Sequence, residues 1–144
     1  MGIDPGKITG LGFVKDGKVT NLMSVSFWDC IDEIDKLVAN NEPYLIVIEV
    51  PKTDHVWQPN AKSGNFAKSI AVDVGRVINQ GELIAEYCKR KPINYITKHP
   101  QGKVGAELFK KVTGWDKQSN THTRDAAMLA FNVTRVDLLK MGDK

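Results

Sequence analysis

A histidine and an aspartate lie three residues apart at the start of a predicted helix. His122 and Asp125 belong to residues 121–130, where a polar segment turns into an apolar one. This spacing places both side chains on one face of a helix. An imidazole beside a carboxylate, followed at once by small and apolar residues that must pack, forms either a helix cap or half of a functional site.

Two further acids stand at the ends of apolar segments far from this pair. Asp4 follows Gly2 and Ile3, and Glu49 is the single charge in residues 45–50, where five of the six residues are aliphatic. A buried carboxylate costs several kcal/mol unless it is paired, hydrogen-bonded or bound to a metal ion. The pattern therefore predicts that folding brings Asp4 and Glu49 together with the histidine and aspartate of the predicted helix.

Three carboxylates and one imidazole form a set of hard oxygen ligands with one nitrogen, which suits Mg²⁺ or Mn²⁺. Two such ions about 4 Å apart can activate a water and stabilise the leaving oxygen in a displacement at phosphorus. In this hypothesis Asp4 bridges the two ions and His122 binds one of them through its neutral imidazole. Asp125 binds the same ion or the other one.

Each residue also has a purely structural interpretation. Asp4 before Pro5 and Gly6 is typical of a turn, Glu49 suits a structural ion pair, and His122 with Asp125 suits a polar helix start. A shared site explains all four positions together, whereas the structural interpretations must each hold independently.

The elements that must position these residues follow from the hydrophobic pattern and the turn residues. Asp16-Gly17 predicts a tight hairpin, Asp29 is a candidate N-cap, and the unbroken aliphatic run before Glu49 indicates a strand buried on both faces. The predicted strands are residues 2–4, 9–14, 18–26, 45–50 and 92–97, and the predicted helices are residues 29–39, 65–89, 102–112 and 121–139. This order predicts an α/β domain, 1–144, with one mixed five-stranded sheet and helices on its faces.

Two glycines interrupt the longest predicted helix, and each costs about 1 kcal/mol relative to alanine. Close packing against another helix or the sheet would account for at least Gly75, and we expect the helix around Gly75 to form a dimer interface. Cys30 and Cys88 are isolated in the sequence, which favours buried, reduced thiols over a zinc site or a disulfide.

Composition restricts the class of protein more than it defines the function. The chain has 144 residues, 42% of them hydrophobic, and a net charge of +3, which permits a nucleic-acid partner without requiring one. No apolar run approaches the roughly 20 residues of a membrane span, and the start of the sequence lacks a signal-peptide pattern. We therefore expect a cytoplasmic protein with no membrane partner.

Aromatic and basic residues in the predicted loops are candidates for contact with a nucleic acid. Trp57 and Trp115 suit either packing or base stacking, while His55 and His99 suit solvated loops. Four lysines suit either a solvated face or contacts with phosphate groups. They are Lys103, Lys110, Lys111 and Lys117.

Several motifs together resemble those of RuvC-type Holliday junction resolvases. They are residues 2–6 (Gly-Ile-Asp-Pro-Gly), 9–12 (Thr-Gly-Leu-Gly), 48–49 (Ile-Glu), 112–114 (Val-Thr-Gly) and 122–127 (His-x-x-Asp-Ala-Ala). The resemblance extends over nearly the whole chain in the right order. The short length and reduced loops are similar to the phage branch of that family, for which the location would be the host cytoplasm.

The resemblance implies an RNase H-like nuclease domain and divalent-metal-dependent cleavage of four-way DNA junctions, in DNA recombination and repair, by a homodimer that associates through its long helix. It places Asp4, Glu49 and Asp125 on the family's acidic residues. His122 falls on a position that is an acid in some members and a histidine in others, and Lys117 falls near an active-site lysine.

The chain departs from the family after the strand glutamate. Lys52 occupies the neighbourhood of the aromatic residue that wedges into the junction in other members, and Trp57 is a candidate substitute. Both are candidate DNA-binding residues, and the shorter basic loop extends the possible substrates to other branched or flapped DNA. Two alternatives stay open, namely an RNase H-like nuclease of the YqgF type that acts on structured RNA and a catalytically silent junction-binding module.

Overall fold

The computed structural model describes residues 1–51 and 64–139. Its elements, in chain order, are β1 (Gly2–Asp4), β2 (Thr9–Lys15), β3 (Lys18–Val25), α1 (Phe27–Ala39), β4 (Ile46–Glu49), α2 (Gly64–Arg90), β5 (Tyr95–Lys98), α3 (Ala106–Thr113), α4 (Thr121–Phe131) and α5 (Arg135–Leu139). The predicted sequence of strands and helices is confirmed, except that the last predicted helix is two helices.

The five strands form one mixed sheet in the order β3-β2-β1-β4-β5. β1 pairs antiparallel with β2 and parallel with β4, and β4 pairs parallel with β5. β2 and β3 form the predicted hairpin, whose turn residues Asp16 and Gly17 have φ angles of 51° and 72°. Positive φ at both positions is the type I′ geometry that the Asp-Gly pair favours. The α/β class and the mixed five-stranded sheet are confirmed.

Side chains alternate between the two faces of the sheet, so each central strand contributes to two layers. One layer contains Ile3, Ile46 and Ile48 packed with residues of α1 and α2, including Ile34 and Ile84. The opposite layer contains Val47, Ile96 and Leu129, the last of which lies on α4. Helices therefore cover both faces, as the sequence predicts.

The carboxyl ends of β1 and β4 lie side by side because the two strands are parallel neighbours, with Ile3 opposite Ile48. Asp4 and Glu49 are the last residues of these strands. Because side chains alternate along a strand, Asp4 lies on the same face as Gly2, and Glu49 on the same face as Val47. Gly2 and Val47 lie on the α4 side of the sheet. The topology thus places both acids at the same edge of the sheet, on the face that α4 covers.

Three glycines allow α4 to lie directly on the sheet. A Cβ atom at Gly2 would be 1.8 Å from the Ala126 carbonyl oxygen, one at Gly10 would be 2.3 Å from the His122 carbonyl oxygen, and one at Gly12 would be 2.3 Å from the Ala127 backbone. No side chain larger than hydrogen fits at these distances. The sequence predicts neither this close contact nor which strand residues provide it.

Two predictions about helix ends are wrong. The N-cap of α1 is Ser26, whose hydroxyl accepts a hydrogen bond from the Asp29 amide, so Asp29 lies inside the first turn. The predicted helix 121–139 ends at Phe131 and is capped by Asn132, and a second helix begins at Arg135. Thr134 and Asp137 bond to each other at this new start, since the Asp137 carboxylate accepts from the Thr134 amide at 2.8 Å.

The close approach of α2 occurs at Gly81 and not at Gly75. A Cβ atom at Gly81 would be 2.9 Å from the Glu49 carbonyl oxygen, whereas one at Gly75 would meet nothing within 4 Å. Packing within the chain therefore explains Gly81 and leaves Gly75 unexplained. The expected buried thiols are confirmed for Cys30 and Cys88.

The predicted loop at residues 53–64, with His55 and Trp57, lies outside the described residues except for Gly64, which begins α2. No helix in the described part of the chain combines the length and the apolar character needed to span a membrane.

Candidate active site

Asp4 and His122 are in direct contact although 118 positions separate them. The His122 Nδ1 atom lies 2.8 Å from Asp4 Oδ2. The Asp4 side chain is 8% exposed and that of His122 is 55% exposed. Burial raises the pKa of Asp4, while the hydrogen bond and charge of His122 act in the opposite direction. A half-exposed imidazole is thus hydrogen-bonded to a buried carboxylate.

Glu49 is half-buried beside the other acids. Burial raises its pKa to about 7, and the negative charges of Asp4 and Asp125 add to this increase. The structural interpretation of Glu49 as an ion-pair partner is not supported, because no salt bridge to Glu49 occurs among the described residues.

Asp125 completes the group from the side of α4. Its Oδ1 atom is buried and has no hydrogen-bond partner in the described structure. A buried carboxylate oxygen without a donor is costly, so this atom is a natural ligand for a cation or a donor group. Asp125 also acts on the other two carboxylates, because its charge raises the pKa of both Asp4 and Glu49.

The start of α4 is fixed by local hydrogen bonds. The Asn120 side chain accepts from the Thr123 amide at 3.0 Å, and the Thr123 hydroxyl accepts from the Asn120 amide at 3.1 Å. This reciprocal pair is a capping box. It leaves His122 and Asp125 free for the site, so the helix-cap interpretation of that pair is wrong.

The four predicted residues line one cleft of about 690 Å³. The same cleft is lined by residues that the sequence analysis missed, most of them on one face of α2. These further residues are Lys7, Asp73, Arg76, Gln80 and Thr121. The spacing of three and four residues between Asp73, Arg76 and Gln80 is a helical face, but only the fold shows that this face meets the acids.

The predicted basic residues occupy three different places. Lys103 lines the cleft, and its charge acts on Asp4 by lowering the pKa of that carboxylate against the effect of burial. Lys110 and Lys111 are exposed near the end of α3. Lys117 lies over the Trp115 ring, 5.5 Å from its centroid, and is not among the residues that line the cleft. Lys52 and Trp57 lie outside the described residues.

The donor set has the chemistry that Mg²⁺ or Mn²⁺ requires, namely three carboxylates and one imidazole. The unpartnered Asp125 Oδ1 atom fits that role. However, no three histidine, cysteine, aspartate or glutamate side chains in residues 1–51 and 64–139 lie close enough together to bind one metal ion. The candidate ligands thus line one cleft, but the described side chains do not form a ready-made metal site.

The fold is similar to that of RuvC from Thermus thermophilus. One solved structure, T. thermophilus RuvC in complex with a Holliday junction substrate, has a TM-score of 0.56 and 18% sequence identity, over 98% of this chain and 94% of that chain. Another structure of T. thermophilus RuvC has a TM-score of 0.51 and 15% identity, over 98% and 95% of the two chains. The chain therefore has a RuvC-like, RNase H-like fold.

The sequence itself matches no family model and no curated protein. At 18% and 15% sequence identity, the structural similarity establishes the fold alone.

Proposed function

We propose that this chain is a divalent-metal-dependent endonuclease that cleaves phosphodiester bonds in branched DNA, with four-way junctions as the leading substrate. The observation that carries the proposal is the convergence of Asp4, Glu49, His122 and Asp125 on one cleft. The similarity of the fold to a RuvC bound to a Holliday junction supports the choice of substrate.

Asp4, Glu49, His122 and Asp125 would hold the metal ions, and we propose two Mg²⁺ or Mn²⁺ ions per site. Bound ions would supply Lewis-acid stabilisation and an activated water. Asp4 enters the site already buried and oriented by His122, which reduces the rearrangement needed for binding.

Lys103 provides the positive charge that a phosphate group needs next to three acids. It lines the cleft with the acids, and a lysine there can hold a phosphate oxygen and stabilise developing charge. We therefore assign the active-site lysine role to Lys103 in addition to Lys117. Lys110, Lys111 and Lys117 remain proposed DNA contacts beyond the residues that line the cleft. Lys52 and Trp57 also remain proposed DNA contacts.

We also propose a homodimer and a place in the phage-like branch, with a role in DNA recombination and repair. The exposed, unexplained Gly75 supports a helix-mediated dimer. The assignment to the phage-like branch rests on the sequence motifs and loops alone, because the similar structures are those of T. thermophilus RuvC.

Cleavage assays on a four-way junction and on a structured RNA of equal length, each with Mg²⁺, Mn²⁺ or EDTA, test the proposal. We expect metal-dependent cuts in the junction and weak or no RNA cleavage. Preference for RNA would favour a YqgF-type nuclease instead, and tight junction binding without cleavage would favour a silent binding module.

The Asp4→Asn variant tests the assignment of the site, with Asp32→Asn on the exposed surface of α1 as the matched control. We expect Asp4→Asn to lower the cleavage rate by roughly 100-fold or more, because a carboxylate that would hold a metal ion is lost. Calorimetric titration with Mn²⁺ adds a readout independent of activity, and unchanged cleavage and Mn²⁺ binding in Asp4→Asn would remove the assignment.

A further inference from the structure

Arg124 lies between two of the proposed metal ligands on α4, and its side chain points to neighbouring segments. Its Nε donates to the Val104 carbonyl at 2.9 Å. One terminal nitrogen donates to the Ser119 carbonyl at 3.4 Å and to the Ser119 hydroxyl at 3.3 Å. The other donates to the Thr121 hydroxyl at 3.4 Å. The guanidinium thus connects α4 to the loops on both sides of α3.

The shortest of these hydrogen bonds, at 2.9 Å, reaches the residue next to Lys103. Among the described residues, no other side-chain hydrogen bond reaches residues 100–104, and the turn there depends on Gly102, whose φ angle is 56°. The bond from Arg124 is charge-assisted, and such bonds are about twice as strong as neutral ones. It therefore determines where the backbone of Lys103 lies relative to α4.

The same helix carries His122 and Asp125, one residue or two from Arg124 in sequence. A shift of the loop that carries Lys103 would change the distance between the Lys103 ammonium group and the acids of the cleft. α4 itself would stay packed on the glycines of β1 and β2. Arg124 is thus placed to set the position of the cation without touching the cleft, since it is not among the residues that line it.

We propose that Arg124 is a positioning residue that holds Lys103 in the cleft opposite Asp4, so that its contribution to phosphate binding passes through Lys103. This inference rests on the proposed phosphodiester cleavage, but the hydrogen bond and its effect on the loop are independent of that reaction.

A double-mutant cycle on junction cleavage tests the coupling, with Arg124→Gln, Lys103→Met and the double variant. We expect each single variant to lower kcat/KM about tenfold, because one charge-assisted phosphate contact is lost. The double variant should be no slower than Lys103→Met alone. Additive losses would overturn the proposal, because a purely structural role of Arg124 would not depend on Lys103.

Hydrogen exchange of residues 99–105 in the metal-free protein is the second measurement. We expect faster exchange in Arg124→Gln and partial rescue in Arg124→Lys. Arg90→Gln, which removes an arginine from the exposed end of α2, should behave as wild type. Unchanged exchange in Arg124→Gln would overturn the proposal that Arg124 holds the Lys103 loop. If the wild-type protein cleaves no branched DNA, but Arg124→Gln still exchanges faster than wild type at residues 99–105, only the proposed reaction is overturned.

Discussion

At the scale of single residues, the cleft combines carboxylates that repel one another. Glu49 shows this most clearly, because burial and the charges of Asp4 and Asp125 raise its pKa to about 7. Such an arrangement is unfavourable for the folded chain alone. It is the pattern expected where a site is kept at the expense of stability.

Replacing Glu49 by Gln should therefore stabilise the metal-free protein. At pH 8 in EDTA we expect about 1–2 kcal/mol after allowance for solvent screening, or a rise in Tm of about 3–6 °C, because the desolvated charge is removed. Thermal unfolding measures the change. Glu82→Gln, at an exposed position of α2, should leave Tm within error, and a lower Tm for Glu49→Gln would contradict the electrostatic description of the cleft.

The sequence identifies the acidic residues because a charge in an aliphatic strand is conspicuous. It does not distinguish Lys103 from Lys117, since both lie in polar loops of similar composition. The structure separates them by the path of each loop, which places Lys103 in the cleft and Lys117 over Trp115. The sequence does not single out Arg124 either, because a polar residue near the start of a helix is usually solvated.

At the scale of elements, the close contact between α4 and the sheet decides whether the site forms. Gly2 and Gly12 are register partners, as are Gly10 and Asp4. The glycines therefore form one smooth surface around the first acid. α4 lies on this surface, and so His122 and Asp125 reach the ends of β1 and β4.

Gly10→Ala should displace the part of α4 that carries His122. The added methyl group would lie 2.3 Å from the His122 carbonyl oxygen, which is backbone. We expect a loss of stability of about 2–3 kcal/mol and a larger relative loss of cleavage. Gly105→Ala is the control, since Gly105 has an ordinary φ of −67° and open space around it. Equal stability of the two variants would contradict the contact.

The last helix depends on a second connection between elements. Lys98 Nζ lies 2.9 Å from Asp137 Oδ2 and donates to the Asn132 carbonyl at 3.0 Å, so β5 is bonded to both ends of the break between α4 and α5. The hydrogen bonds from Lys98 and Thr134 lower the pKa of Asp137 to about 2.

Since the folded pKa of Asp137 is lowered, its contribution to stability is present above the ordinary pKa and is lost as the pH falls towards 2. We expect this contribution to be about 1 kcal/mol after allowance for solvent screening. Asp137→Asn should remove it at pH 7. Chemical denaturation at pH 7 and pH 2 provides the measurement, and a variant equally destabilised at both values would show that packing, not charge, is lost.

The break before α5 could not be predicted from hydrophobic spacing. Val133, Val136 and Leu139 continue a helical pattern, but Val136 and Leu139 are 60% and 65% exposed. Competing side-chain hydrogen bonds from Thr134 and Asp137 start a new helix there. The hairpin and the central strand are predicted correctly because each depends on neighbouring residues in the sequence.

At the scale of the whole molecule, α2 exposes two large apolar side chains that no part of the described chain covers. Val72 and Leu83 are 54% and 45% exposed. With Gly75 they follow a spacing of three and eight residues, which keeps them on one side of a helix. The exposed Arg76 and Asn79 lie between them on that side. This side supports the proposed homodimer, in which two clefts related by a two-fold axis would suit a substrate with two equivalent strands.

Leu83→Glu should convert the dimer to a monomer at micromolar concentration, because a charge would be buried in the interface. Light scattering on the wild type and the variant measures the mass. Asp32→Asn, on the exposed surface of α1, serves as the control. A wild-type protein that is already monomeric at this concentration would contradict the dimer.

The 118 positions between Asp4 and His122 also determine when the cleft can form. During synthesis, β1 emerges early, but the residue that orients its carboxylate is added only after both parallel strands and α3 are complete. A chain that lacks α4 therefore carries Asp4 and Glu49 without His122 and Asp125, so its cleft is incomplete. The cleft is therefore completed late in synthesis, when α4 can pack on Gly2, Gly10 and Gly12.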